Sequence, residues 1–273
     1  MSTAPNSDLT TRFAAGVAMI AVAVAAIWFG GWFFRALAAA AGVVMLLEWC
    51  AIHSISRRWA YVAIAGLLAT AFGLTEYLFP ASLEDPAEIG AGTLEPIWIG
   101  LGAIGGFALL LGLAGRRTML GWGFLYVAAP TFALLVLRWT WFELVFWLML
   151  VTWSTDIFAY FAGRSIGGPK LAPKISPNKT WAGLIGGMAG AAIVGALAAH
   201  LFDIGAPFLY LGAPMGLLAQ LGDLYESAVK RRYGVKDSGN ILPGHGGVLD
   251  RLDGLLPVVV ATLAILFATL ALA

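Results

Sequence analysis

Asp223-Leu-Tyr-Glu226-Ser227-Ala-Val-Lys230-Arg231-Arg232-Tyr-Gly-Val-Lys236-Asp237-Ser-Gly-Asn-Ile-Leu-Pro-Gly-His245-Gly246-Gly247-Val-Leu-Asp250-Arg251-Leu-Asp253 is the polar exception in an oily chain. Apolar runs flank it on both sides, so its charges stand at the ends of segments suited to a bilayer, where ionisable groups are costly and mark a site by default. The whole chain is 60% hydrophobic and 11% charged, with a mean hydropathy of +0.87. One water-soluble globule of 273 residues cannot hide that much apolar surface, and the composition is that of an integral membrane protein. A net charge of +1 gives no reason to expect a nucleic-acid partner. The single cysteine, Cys50, excludes an intrachain disulfide and makes a thiolate metal site implausible.

Working outward, nine stretches reach the roughly 20 residues that a helix needs to cross the hydrocarbon core. They fall near 14–34, 36–52, 59–79, 96–114, 119–137, 139–162, 183–202, 206–228 and 254–272, with no room for a soluble domain between them. The expected fold is all-α: a polytopic single membrane domain over 1–273, with scaffold helices over 1–138 that can serve dimer or lipid contacts, and the site over 139–273. Basic residues orient it. Fourteen of the sixteen lysines and arginines fall on one side of a nine-span arrangement, and only Arg35 and Arg138 fall on the other. Because Lys and Arg collect in cytoplasmic loops, the N-terminus is expected inside and the C-terminus outside. The 14–34 run is read as a retained first helix rather than a cleaved leader. The acidic 80–95 loop suits the outer side, and the glycines at 183, 186, 187 and 190 suit close helix packing.

In this topology the inner ends of the last four spans carry the chemistry. Asp156 and Tyr160 stand one turn apart, and Arg164 follows after one more. Next come Lys170, Lys174 and then Ser176-Pro-Asn178-Lys179-Thr180 directly before a span. Lysines, hydroxyls and free amides at a helix start make an anion site. Asp223, Glu226, Ser227 and Lys230 share a helical face by spacing, and Asp250 and Asp253 repeat the interval of three. Oxygen donors without His or Cys neighbours suit a hard cation that also takes water and substrate phosphates. Salt bridges with Lys230, Arg231 and Arg251 are the competing reading of the same carboxylates. In the loop between, Gly246 and Gly247 let backbone amides approach phosphate, while His245 is as readily a structural residue as a ligand contact. Glu48 and Glu143 are acids within apolar spans without an evident task.

The run from Ser227 to Asp253 closely resembles, without a gap, the signature of the phosphatidate cytidylyltransferases, also called CDP-diacylglycerol synthases. Asp156-x-x-Ala-Tyr160-x-x-Gly-Arg164 and Ser176-Pro-Asn-Lys-Thr180-Trp181 look like that family's two upstream elements. Ala182 departs from the pattern, standing where an acid is expected. The resemblance implies transfer of the cytidylyl group from CTP to phosphatidate, with Mg²⁺ as cofactor (a second cation being left open) and a homodimer among membrane lipids. It associates the metal with Asp223 and Asp250. Glu226 and Asp253 are then expected as further ligands or supports, making Asp223, Glu226, Asp250 and Asp253 the catalytic set. Lys170, Lys179, Lys230, Arg231, Lys236 and Arg251 are expected to neutralise phosphates. Ser176, Asn178, Thr180, Ser227, His245, Gly246 and Gly247 complete the substrate contacts. The implied setting is a bacterial inner membrane with the site facing the cytoplasm. Rivals are a CTP-dependent polyprenol kinase, which would release CDP, a synthase acting on ether lipids, and a secondary transporter, which the concentration of polar residues in the C-terminal part disfavours.

Overall fold

The structure, a computed structural model, describes residues 5–78, 94–242 and 246–272. It is overwhelmingly helical. In chain order the elements are α1 (Pro5–Phe29), α2 (Gly31–Ile52), α3 (Arg57–Leu68), a π-helical turn over Ala69–Leu74, α4 (Thr75–Leu78), α5 (Leu94–Ala114), α6 (Thr118–Thr140) and α7 (Phe142–Ser165). Then follow β1 (Lys170–Ala172), β2 (Ser176–Thr180), α8 (Trp181–Phe202), α9 (Ala206–Tyr210), α10 (Gly212–Arg232), α11 (Leu249–Leu252) and α12 (Leu255–Leu272). Among the described residues six helical stretches are long and apolar enough to cross a membrane: Gly31–Ile52, Arg57–Leu78, Glu95–Ala114, Thr118–Thr140, Phe142–Ser165 and Trp181–Phe202. Gly16–Phe29 and Leu255–Thr269 are shorter apolar helices.

The run 206–228, expected as one span, is divided at Leu211 into α9 and α10. Its cause is local. Pro214 has no N–H to donate in the first turn of α10, so the helix is not carried across Leu211, while Gly205 with its positive φ of 96° precedes α9 and Pro207 stands in its first turn. Asp156 to Thr180 holds the second difference, because part of the expected loop is an antiparallel hairpin with Lys170 opposite Thr180 and Ala172 opposite Ser176. The acidic residues 80–93 lie outside the described residues.

Two compact units make up the chain. Among the described residues, the first comprises 5–78, 95–135, 235–242 and 246–252. Its core is organised by Trp49, which is buried, donates its indole N–H to the Met119 carbonyl at 2.8 Å and stacks on His53 at 4.3 Å. Gly123 gives that indole its space, since a side chain there would overlap it. Arg35 on α2 pairs with Glu76 on α4.

Among the described residues, the second unit comprises 94, 136–234 and 253–272. Here the 183–190 glycines do what small residues do in apolar helices and let backbones touch. A Cβ on Gly187 would lie 2.9 Å from the Thr155 carbonyl oxygen on α7, and Gly186 and Gly190 face Ala162 and Phe158 just as closely. Buried Trp147 ties the same pair together by donating to the Gly195 carbonyl at 2.9 Å. Gly222 on α10 gives way to Pro257 of α12, and Gly254 packs 3.0 Å from the Ala219 carbonyl oxygen by the same measure.

Candidate active site

Within the second unit, α7, β2, α8 and α10 enclose a cavity of about 510 Å³. Asp156, Ala159, Tyr160, Gly163 and Arg164 line it from α7, and Asn178, Lys179 and Thr180 from β2. Gly183 comes from α8, and Gln220 and Asp223 come from α10. The spacing of Asp156, Tyr160 and Arg164 brings all three to one wall. Arg164 donates to the Tyr160 hydroxyl at 3.0 Å. Thr180 is the N-cap of α8, its hydroxyl accepting the Gly183 N–H at 3.0 Å, which satisfies a helix-end donor and fixes where β2 stops.

Asp223 is engaged on both of its carboxylate oxygens. One carboxylate oxygen meets Lys179 Nζ at 2.7 Å, and the other accepts from the Ser227 hydroxyl at 3.2 Å. About a third of its side chain is still exposed, so a ligand in the cavity can reach it. One turn further along α10, Glu226 is 1% exposed and meets the Lys230 ammonium at 2.5 Å. Of the salt bridges in the competing reading, the one to Lys230 is present at Glu226, whereas Asp223 pairs with Lys179 instead. Asp253, just before α12, has its carboxyl held well above the usual carboxylate range. Burial is the main cause and the negative charges of Asp223 and Glu226 add to it, while the Gly254 N–H at 2.7 Å and Lys230 act against them.

The cavity thus gathers Asn178, Lys179, Thr180 and Asp223 from the expected set and leaves Glu226, Ser227 and Lys230 farther along α10. Lys170 and Ser176 sit on the hairpin, and Arg231 donates to the Ile175 carbonyl at 3.3 Å, docking the end of α10 on it. Asp156, Tyr160 and Arg164, read in the sequence by their four-residue spacing and as an upstream motif without an assigned role, line the cavity together with Gln220, which no sequence pattern marks.

Lys236, Gly246, Gly247, Asp250 and Arg251 belong to the first unit. Asp250 binds its own loop: its carboxylate accepts the Ser238 N–H at 2.9 Å and the Gly247 N–H at 2.8 Å. The Gly247 amide, expected to face phosphate, is spent there. His245 lies outside the described residues.

Among the described residues no three of His, Cys, Asp and Glu are gathered as a ready cage for a metal. The donors at the cavity are all oxygens, two of them carboxylates, from Asp156 and Asp223. That set does not suit zinc. It does fit a magnesium ion that keeps several waters and takes one or two carboxylates together with substrate phosphates.

The cytidylyltransferase family profile matches residues 10–269, and the chain belongs to that family. It is 37% identical over 281 residues to a phosphatidate cytidylyltransferase of Brucella abortus biovar 1 (strain 9-941), covering 97% of this chain and 94% of the relative. To the phosphatidate cytidylyltransferase of Bacillus subtilis (strain 168) it is 50% identical over 115 residues, 41% of this chain and 43% of that one. The corresponding protein of Rickettsia bellii (strain RML369-C) shares 45% identity over 123 residues, 40% of this chain and 53% of that one.

Proposed function

We propose that this membrane protein is a phosphatidate cytidylyltransferase, converting CTP and phosphatidate to CDP-diacylglycerol and pyrophosphate. The observation that carries the reading is a cavity in which lysine, arginine, amide and carboxylate groups converge on a chain of apolar helices, in a protein 37% identical along its length to a phosphatidate cytidylyltransferase. A phosphate monoester is already largely dianionic near neutral pH, its second pKa being about 6, so the lipid phosphate needs no strong base to become a nucleophile. The barrier is repulsion between that dianion and the triphosphate.

Lys179 and Arg164 reduce the repulsion by offering positive charge within the cavity, and Asn178 and Gln220 offer amide donors. Lys179, already 2.7 Å from Asp223, would be shared between the carboxylate and an incoming phosphate. Asp223, with Asp156 as the second carboxylate of the wall, would hold Mg²⁺. A carboxylate offers about four lone-pair positions, so Asp250, the other aspartate marked by the resemblance, can keep its loop amides and still accept a cation. When bound, the ion supplies charge neutralisation and alignment of the phosphates. A lipid phosphate oxygen forms the new bond to the α-phosphorus of CTP as the bond to the bridging oxygen of pyrophosphate breaks. Helices that cross a bilayer bring the diacyl substrate to the cavity within the membrane, and CTP enters from the cytoplasm.

Purified protein in detergent, given phosphatidate, Mg²⁺ and CTP labelled at the α-phosphorus, is expected to place the label in a lipid product and to release one pyrophosphate per label. Release of CDP with transfer of the γ-phosphoryl group would instead indicate a lipid kinase.

A further inference from the structure

Glu48 is a carboxylate in the last two turns of α2, only 4% exposed, and the reaction above gives it no task. A buried acid in an apolar helix is costly unless hydrogen bonds compensate. Three do so, all from one loop: the Val248 N–H donates to Oε1 at 2.9 Å, the Leu249 N–H to Oε2 at 2.8 Å, and the Ser238 hydroxyl to Oε2 at 3.1 Å. Asp250 takes the neighbouring donors, the N–H groups of Ser238 and Gly247. Consecutive amides at 247, 248 and 249 are therefore divided between two acids, and Ser238 gives its backbone to one and its hydroxyl to the other.

Two glycines carry the imprint of this carboxylate. A Cβ at Gly239 would come within 2.5 Å of Glu48 Oε1, and one at Gly247 would meet Ser238 Oγ at 2.1 Å and Glu48 Oε1 at 2.5 Å, so a side chain at either position crowds the acid and its serine partner. The glycine-rich signature is thus shaped at these two positions by an acid about 190 residues earlier in the chain.

We propose that Glu48 is a positioning residue for cytidylyl transfer: it ties Ser238 to the 247–249 stretch and, through Ser238 and the amides there, sets the direction of the Asp250 carboxylate. This rests on the activity assigned above. Glu48 touches no substrate in this role and acts through the loop, whose flanks carry Lys236 and Arg251.

The test compares wild type, Glu48→Gln, Ser238→Ala and the double variant, each full-length in detergent. Hydrogen exchange of the 238–249 amides is read alongside kcat and KM for CTP. The glutamine keeps the shape of the acid and loses its charge. Loop exchange is expected to rise at least about tenfold while α7 and α8 exchange as in wild type, and kcat/KM to fall roughly 10- to 100-fold. Ser238→Ala added to Glu48→Gln is expected to cost less than it does alone, because the bond it removes is already weakened. Wild-type exchange and kinetics in Glu48→Gln, strict additivity in the double variant, or equal loosening of every helix would each overturn the proposal. Should wild type form no CDP-diacylglycerol, the assigned activity fails, and the exchange comparison still decides whether Glu48 holds the loop.

Discussion

The carboxylates of this protein have divided tasks, and their partners tell them apart. Asp223 faces a cavity and a lysine, Glu226 is locked to Lys230, Asp250 and Glu48 hold loop amides, and Asp253 is disfavoured as an anion. That last property predicts a pH effect. Asp253 binds its proton more tightly in the folded chain than in the unfolded one, so its contribution to stability is full below the ordinary value of 3.8 and declines as pH rises above it. With divalent ions chelated, Asp253→Asn is therefore expected to raise the thermal midpoint at pH 8 and to change it little at the lowest pH the protein tolerates; a lower midpoint at pH 8 would contradict the account. The acids of the 223–253 segment could be recognised from sequence because their spacing repeats and their neighbours are charged. Glu48 could be seen only as an acid out of place, since its partners lie about 190 to 200 residues away and no local pattern joins them. Asp156 was visible through its four-residue relation to Tyr160 and Arg164, yet only the folded cavity sets it in the same wall as Asp223.

At the scale of elements, the site depends on α7 and α8 approaching closely enough for β2 to close the cavity between them and α10. Gly187→Val is expected to force the pair apart, because even its Cβ would lie 2.5 Å from Gln220 Nε2 and 2.9 Å from the Thr155 carbonyl oxygen. Overpacking of this kind costs about 1–3 kcal/mol, so thermal unfolding in detergent should show a clear fall in midpoint, together with lost activity. Thr180→Ala removes the N-cap of α8 and is expected to cost about 1 kcal/mol. A midpoint equal to wild type would show that the cap contributes nothing. Long apolar runs announced most helices, because length alone separates a bilayer-spanning helix from a strand. The hairpin was not announced: its strands are three and five residues long, contain proline and lysine, and show no alternation of apolar and polar residues. The break before α10 had its signals in Gly212 and Pro214, which hydropathy averaged away.

For the whole molecule, we propose nine spans with the N-terminus inside and the C-terminus outside, a bacterial inner-membrane location, and a homodimer. The arrangement is supported by the one-sided distribution of lysine and arginine. Cys50 is buried at 3% exposure, so the native cysteine is a silent background for labelling in membranes. A cysteine placed at Lys174 should react with an impermeant maleimide only after the inner face is opened, and one placed at Glu88 should react from outside in intact cells; the reverse pattern would invert the topology. The claim on which all of this turns is that Asp223 holds the cation that joins nucleotide and lipid phosphate. The most direct measurement is the initial rate of CDP-diacylglycerol formation against Mg²⁺ concentration for wild type and Asp223→Asn, with hydrogen exchange confirming that both are folded. Wild type is expected to depend on Mg²⁺ and the variant to lose more than about 100-fold, beyond what removing an outer-shell partner costs. A folded variant with the wild-type rate and the same Mg²⁺ dependence would contradict that claim.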